Sequence, residues 1–483
     1  MKLGHLSLSI RSATLVANGL SIADDPHYST IPFLTATQLR VAVAIRPLIF
    51  SRQLQVLSFA VMAPQIHLVR EANGTWNFSS IGQNRPRGLD KVPGISSVSG
   101  FAVNLITIED GRAVMDRAPA AEPLVYRHLT LSLRRFSFAQ QFSFMGNAIL
   151  PGDGAVGLSG NAGPINQTDA AMTAVDAQVT VRHLDPVAAD LLDPSVGVSM
   201  LADIDARAAS DGHTLTSRGK IHMEHLRLRE GGRPAPSPID LTFNVTHGLK
   251  DNTGQVQDAT VKMGKVAVRV SGNYRLRTKN PSVNLVLAGR GLPIDELRAF
   301  LAASDVKLPN GAELKGGTLS ATLAIKGPAN ALLITGPVEM NDAQLAGFDL
   351  GSKIHGIAAL SGLKTGETTD IEKLHLNFRT TNAGTQLDDI YALIPAMGEL
   401  TGSGTVSPTS ELNIHLTVKV ATAEGIGKAG VGLLTKLNKF ADSANGVPMI
   451  VRGTEGDPII TADVRGLLHR DKAVFLSHFK GKK

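Results

Sequence analysis

The chain has 483 residues, 43% apolar, 19% charged and 4% aromatic, with no cysteine and a formal charge of +6 from 48 basic and 42 acidic side chains. That balance excludes a disordered chain and implies a large aliphatic core, while the absence of cysteine excludes disulfide staples and thiolate metal sites. The basic residues are scattered, the densest group being Lys480, Lys482 and Lys483, so the concentrated stripe and stacking aromatics of a nucleic-acid binder are missing.

Apolar residues first alternate with polar ones at Leu6, Leu8 and Ile10, the two-residue period of a half-buried strand. The period returns at Leu39, Val41, Val43 and Ile45, from Leu129 to Leu133, from Val175 to Val181, from Ile239 to Val245 and at Val266, Val268 and Val270. It continues from Leu319 to Ile325, from Leu374 to Phe378 and from Leu412 to Val418. Clusters of Gly, Pro, Asn and Asp, such as Pro151-Gly-Asp-Gly154, separate these runs as turns. Helical spacing is rare. It is expected at Ile294, Leu297 and Leu301, from Leu184 to Leu192, from Leu387 to Met397, and in a basic amphipathic tail at 464–483. In that tail Val464, Leu467, Leu468, Phe475 and Phe479 fall near one face, which suits either a membrane surface or a cap on the last sheet edge.

The spacing therefore predicts a mainly β chain with few short helices and on the order of 25 to 30 strands, too many for a flat open sheet. A long curled antiparallel sheet with one apolar face makes an elongated apolar groove, and at about 4.8 Å per strand it outspans a bilayer's ~30 Å core. A set of sandwiches with their apolar faces packed together has the same alternation. Periodicity does not say which face lines a groove.

Few residues suggest bond chemistry. Gly425-Ile-Gly-Lys-Ala-Gly430 spells a dinucleotide fingerprint but lacks the surrounding βαβ unit, and reads better as a connector. In Ile221-His-Met-Glu-His-Leu226, His222 and Glu224 share a strand face while His225 is expected on the other, so no metal set forms. Asp203 and Asp205 share a face, as a glycosidase pair would, without a sugar-stacking aromatic nearby. No catalytic residue, cofactor or metal is expected.

Several segments carry specific wording. Asp24-Asp-Pro26, the block from Arg46 to Leu54, the strand from Pro64 to Arg70 and Gly74-Thr-Trp-Asn-Phe78 occur in this order. Gly402-Ser-Gly-Thr-Val-Ser-Pro408 and the segment from Val447 to Pro458 follow near the other end. In these the chain resembles the bacterial AsmA family of envelope proteins, part of the bridge-like lipid-transfer clan. The resemblance implies an AsmA-like N-terminal repeat region at 1–84, a central β-groove region at 85–290, an AsmA-like C-terminal β region at 291–463 and the tail at 464–483. It further implies a periplasmic protein, inner-membrane anchored in the family, that takes part in phospholipid transport and outer-membrane assembly or homeostasis. Met1 to Leu8 alternates at once, where the family pattern has an anchor helix. Partners so implied are a phospholipid or other acyl lipid, a membrane surface and envelope proteins.

On this reading the groove lining includes Leu39, Val41, Val43, Ile45, Val266, Val268 and Val270. Trp76 anchors the turn that follows its strand, with direct lipid contact as its other open role. Two other readings stand beside it: an extracellular β-solenoid or adhesin-like structural protein, and a polysaccharide-active enzyme using Asp203 and Asp205.

Overall fold

The computed structural model describes residues 2–9, 13–51, 55–71, 75–79, 102–116, 122–228, 230, 232, 234–235, 237–276, 281–297, 308–328, 330–348, 354–355, 367–420 and 446–463. Contacts divide the chain into two compact units, Met1–Pro234 with Pro238–Gln257 and Ala235–Ser237 with Asp258–Lys483. Both are mainly β, as the alternation requires.

In the first unit the strands are β1 (Lys2–Leu3), β2 (Leu6–Ser9), β3 (Thr14–Ile22), β4 (Leu34–Val43), β5 (Val56–Met62), β6 (Gln65–Leu68) and β7 (Ala102–Met115). They continue as β8 (Leu124–Ser137), β9 (Phe142–Ile149), β10 (Ala155–Ala162), β11 (Val175–Leu184), β12 (Ser199–Ser210), β13 (Thr214–Arg227) and β14 (Ile239–Gly248). The division falls within β15 (Thr253–Met263). The second unit holds β16 (Val266–Arg275), β17 (Ser282–Pro293), β18 (Glu313–Lys315), β19 (Thr318–Gly327), β20 (Leu333–Ala346) and β21 (Ile354–His355). After these come β22 (Thr368–Thr381), β23 (Gly384–Ile394), β24 (Gly398–Val406), β25 (Leu412–Val420), β26 (Val447–Gly453) and β27 (Pro458–Ala462). Helix is confined, among the described residues, to α1 (Ile45–Ser51), a turn at 294–297 and two 3-10 turns at Ala170–Met172 and Pro194–Val196.

From β7 to β14 each strand pairs antiparallel with the next. The second unit does the same through β16, β17, β19, β20 and from β22 to β27. Pairing is nevertheless mixed, because β7 runs parallel to β5 and β6, and β21 runs parallel to β27. A parallel pair needs a long crossover, and the stretch between β6 and β7 has the length for one.

Regular alternation is interrupted at the same end of the strands again and again. Asp110, His128, His183, His225, Gly291 and Asp389 all have φ between 50° and 56°, and each sits where the register of its strand slips. These are β-bulges: one extra residue in a left-handed conformation, which bends the strand and raises its twist. The slip turns the next apolar residue inward, so Leu184, Leu226, Leu292 and Ile390 follow their bulges and are buried.

That slip overturns one sequence expectation. Leu387, Ile390 and Ile394 have helical spacing, but they belong to β23, where the bulge at Asp389 puts residues three apart on one face. Leu184 likewise ends β11, and 186–192 form a capped turn rather than a helix: Asp185 accepts from the Val187 and Ala188 N–H groups. The expected strand from Leu39 to Ile45 stops at Val43, and Ile45 begins α1. Pro47 lies in the first turn of α1, where no intrahelical N–H is needed. At 294–297 the expected helix is present, with Leu301 outside the described residues.

Two mid-strand glycines are required by close backbone approach. A Cβ at Gly219 would collide with the Asp205 carbonyl oxygen, and one at Gly336 with that of Thr322. Each glycine pairs with a phenylalanine, Gly219 with Phe243 and Gly336 with Phe378. Only glycine fits at either position, with the phenylalanine as its register partner on the neighbouring strand.

Burial is one-sided along the strands. In the first unit Val181, Leu184, Ala189 and Ala202 form a core at the bulged end, under the turn at 185–192. In the second unit the loops at that end contribute Ile294, Leu297, Leu314, Phe348 and Met397 to three adjoining clusters. Val418 and Met449 are 0% and 1% exposed there. At the opposite end the strands are joined by short hairpins, for example 211–213 and 249–252 in the first unit and 382–383 and 407–411 in the second.

Candidate functional site: a half-covered aliphatic face

Between the packed end and the hairpin end, each unit presents one apolar sheet face. In the first, cross-strand partners line up as Ala148, Val156, Val181, Ile204, Ile221 and Leu241, one residue per strand from β9 to β14, a row that borders the packed end and whose Ala148 and Val181 are buried. One step nearer the hairpins the row reads Leu158, Val179, Ala206, Gly219 and Phe243. In the second unit Val270, Leu287 and Leu323 align, as do Gly336, Phe378, Leu387, Gly404 and Ile414, the last of which packs on the core that holds its partner Val451. The opposite face carries the polar residues, such as Asp205, Arg207, Arg269 and Asn273.

The apolar rows are only partly buried away from the packed end. Phe243, Val270, Leu285 and Phe378 are of intermediate exposure and Leu158 is 40% exposed, whereas Ile204 and Ile221 pack on the core at the bulged end. A sandwich buries such residues against a second sheet. Here they are left partly exposed towards the hairpin end of each unit, while the bulged end is packed.

The residues anticipated as lining fall as follows. Val266 is buried against Leu292 and Leu297, Val268 packs on that cluster, and Val270 lies in the half-covered row. Leu39 and Val41 pair with Val61 and Phe59 on one face of β4, partly buried, and Val43 pairs with Val56 after a register slip. Ile45 is not on this face, since it starts α1. Leu467, Leu468, Phe475 and Phe479, and the glycine run at 425–430, lie outside the described residues.

Trp76 bridges to Arg70, whose guanidinium lies 5.2 Å from the indole centroid, and stacks on Phe78 at 5.5 Å. The residue beside it holds the turn together. Asn77 is 4% exposed, and its amide donates to Asp24 Oδ2 at 2.7 Å and to the His67 carbonyl at 2.8 Å. Its Oδ1 accepts from the Val69 N–H at 3.2 Å, and its own N–H donates to the Val69 carbonyl. The Asp24-Asp-Pro26 turn and the Trp-Asn-Phe turn, far apart in sequence, are one hydrogen-bonded unit. Only their shared presence in the chain hinted at this.

The polar face uses its charges structurally. Asp203 Oδ1 accepts from the His183 N–H at 2.7 Å, holding the β11 bulge, and Asp205 pairs with Arg182 at 2.7 Å. Both carboxylates flank ladder positions rather than a cleft. Arg207 grips Asp176 through two nitrogens, which lowers the Asp176 pKa. His222 bonds Asp240 at 2.7 Å, which raises the His222 pKa, and Glu224 lies 3.7 Å away. His225 does not cross to the apolar face as alternation predicts: it is the bulge residue, exposed, and Leu226 takes the inward position. Among the described residues, no three His, Asp or Glu side chains converge as a metal set.

No helix among the described residues is long and apolar enough to cross a membrane. No family model, no curated protein and no solved structure matches the chain.

Proposed function

We propose that this chain is a non-enzymatic, AsmA-like lipid-binding protein that holds acyl chains along its apolar sheet faces. By the resemblance of its motifs to that family, it assists phospholipid transport and outer-membrane assembly or homeostasis from the periplasm. The observation that carries the reading is that the cross-strand aliphatic rows stay partly exposed towards the hairpin end, as at Leu158, Phe243, Val270 and Phe378. Burying a methylene there is worth about 0.8 kcal/mol, so a chain sliding from row to row keeps most of its stabilisation throughout. No bond chemistry is required. A β-solenoid rod fits less well, because its coils stack in parallel whereas consecutive strands here pair mostly antiparallel. Organic extraction of protein purified without detergent, followed by lipid analysis, is expected to recover phospholipid in stoichiometric amounts, and native mass spectrometry to show the matching mass increment. Lipid-free extracts from repeated preparations would sink the reading.

Face specificity supplies a second test. Val270→Asp is expected to reduce lipid transfer between donor and acceptor vesicles by about tenfold or more, because a carboxylate facing acyl chains carries a desolvation cost of several kcal/mol. Ala267→Asp, on the exposed face of the same strand, is expected to be silent. Equal effects of the two, with folding intact, rule out the assigned face.

A further inference from the structure

Helix α1 has an exposed face that none of the described residues covers. Arg46, Ile49 and Phe50 are spaced i, i+3, i+4, which brings them together on one side. Ile49 is 64% exposed and Phe50 84%, and Arg46 is exposed as well. Leu57, on the irregular start of β5 just after the helix, adds a further apolar side chain at 40% exposure. The α1 connection joins β4 to β5 at the hairpin end of the first unit, beside the row of Leu39, Val41 and Val43.

We propose that α1 docks the protein on an anionic bilayer, laying Ile49 and Phe50 into the boundary between headgroups and acyl chains. Charge selects this occupant. Residues 26–70 contain Arg40, Arg46, Arg52 and Arg70 and no aspartate or glutamate, a long interruption in a chain that otherwise mixes its charges. Anionic headgroups attract such a segment while its apolar tips partition beneath them. A second copy of the chain is the poorer occupant, since a stable protein interface buries about 1,200 Å² or more, well beyond two or three side chains on a two-turn helix. The proposal rests on the lipid reading only for its purpose, which is to bring the apolar sheet faces to a source or sink of lipid.

Because the chain has no cysteine, Phe50→Cys creates a single site for a nitroxide label. Vesicles containing phosphatidylglycerol are expected to bury a label at 50, read as protection from a water-soluble relaxation agent, and pure phosphatidylcholine vesicles to do so far less. A label at the exposed Asn273 serves as the control and stays accessible. The double substitution Ile49→Ser with Phe50→Ser is expected to lower co-sedimentation with anionic vesicles about tenfold, with unchanged circular dichroism because neither side chain is packed. Wild-type protein that fails to sediment with anionic vesicles, or a double variant that sediments as well as wild type, overturns the proposal. So does a wild-type dimer that the double variant converts to monomer. Lipid recovered by extraction is expected to be unchanged in the double variant. Its absence from both proteins, with vesicle binding intact, would refute the lipid reading and leave docking standing.

Discussion

Met449→Ala is expected to cost the second unit about 2–5 kcal/mol, among the largest effects of any single truncation in the chain. Met449 is 1% exposed in the cluster that also holds Val418, Val451 and Ile460 at the packed end of the strands. Truncation there loses the transfer free energy and leaves a cavity that surrounding strands, tied by ladders on both sides, do not collapse to fill. The informative comparison is Leu285→Ala on the half-covered face, expected to cost only about 1 kcal/mol because much of that side chain already meets solvent. Urea midpoints of the full-length variants, with m-values checked for a shared transition, measure both. Equal losses would mean that the half-covered rows are packed like the core, and the proposed acyl-binding face would fall with that result.

Asn77→Leu is expected to destabilise the first unit by about 3 kcal/mol or more. The substitution keeps the volume but strands the Val69 N–H, the His67 carbonyl and one Asp24 oxygen, each costing about 1–3 kcal/mol where water does not reach it. Trp76→Phe, by contrast, is expected to cost about 1 kcal/mol, since it removes one cation–π contact from a partly exposed ring. Thermal unfolding of the two variants ranks them directly. If Asn77→Leu stayed within about 0.5 kcal/mol of wild type, the amide would not be the joint between the two turns.

Much of the architecture was legible because strand formation leaves a local mark. Val266, Val268 and Val270 alternate with Ala267 and Arg269, and that two-residue rhythm needs nothing distant to be read. The same rhythm misled where a bulge broke it: Leu387 and Ile390 mimic a helix because Asp389 adds a residue to β23. His225 stays on the exposed side, against the alternation, for the same reason. At Ile45 the strand gave way to α1, and the proline two residues on was the available signal. Trp76 was noticed for its rarity, while Asn77, the buried member of that turn, has nothing in its own neighbourhood to mark it.

Composition and period by themselves determined that this chain is mainly β, aliphatic inside and built from many short-turned strands, since those properties are set by residues within a few positions of one another. Only the tertiary structure decided which ends of the strands are packed and which are joined by plain hairpins, because Ile294, Phe348, Met397 and Met449 become one side of a core through chain segments far apart in sequence. It also decided that strand pairing is mixed, through the return of β7 alongside β5 and β6. A side chain's exposure depends on what the rest of the chain brings over it, and alternation alone carries no record of whether an apolar face is covered.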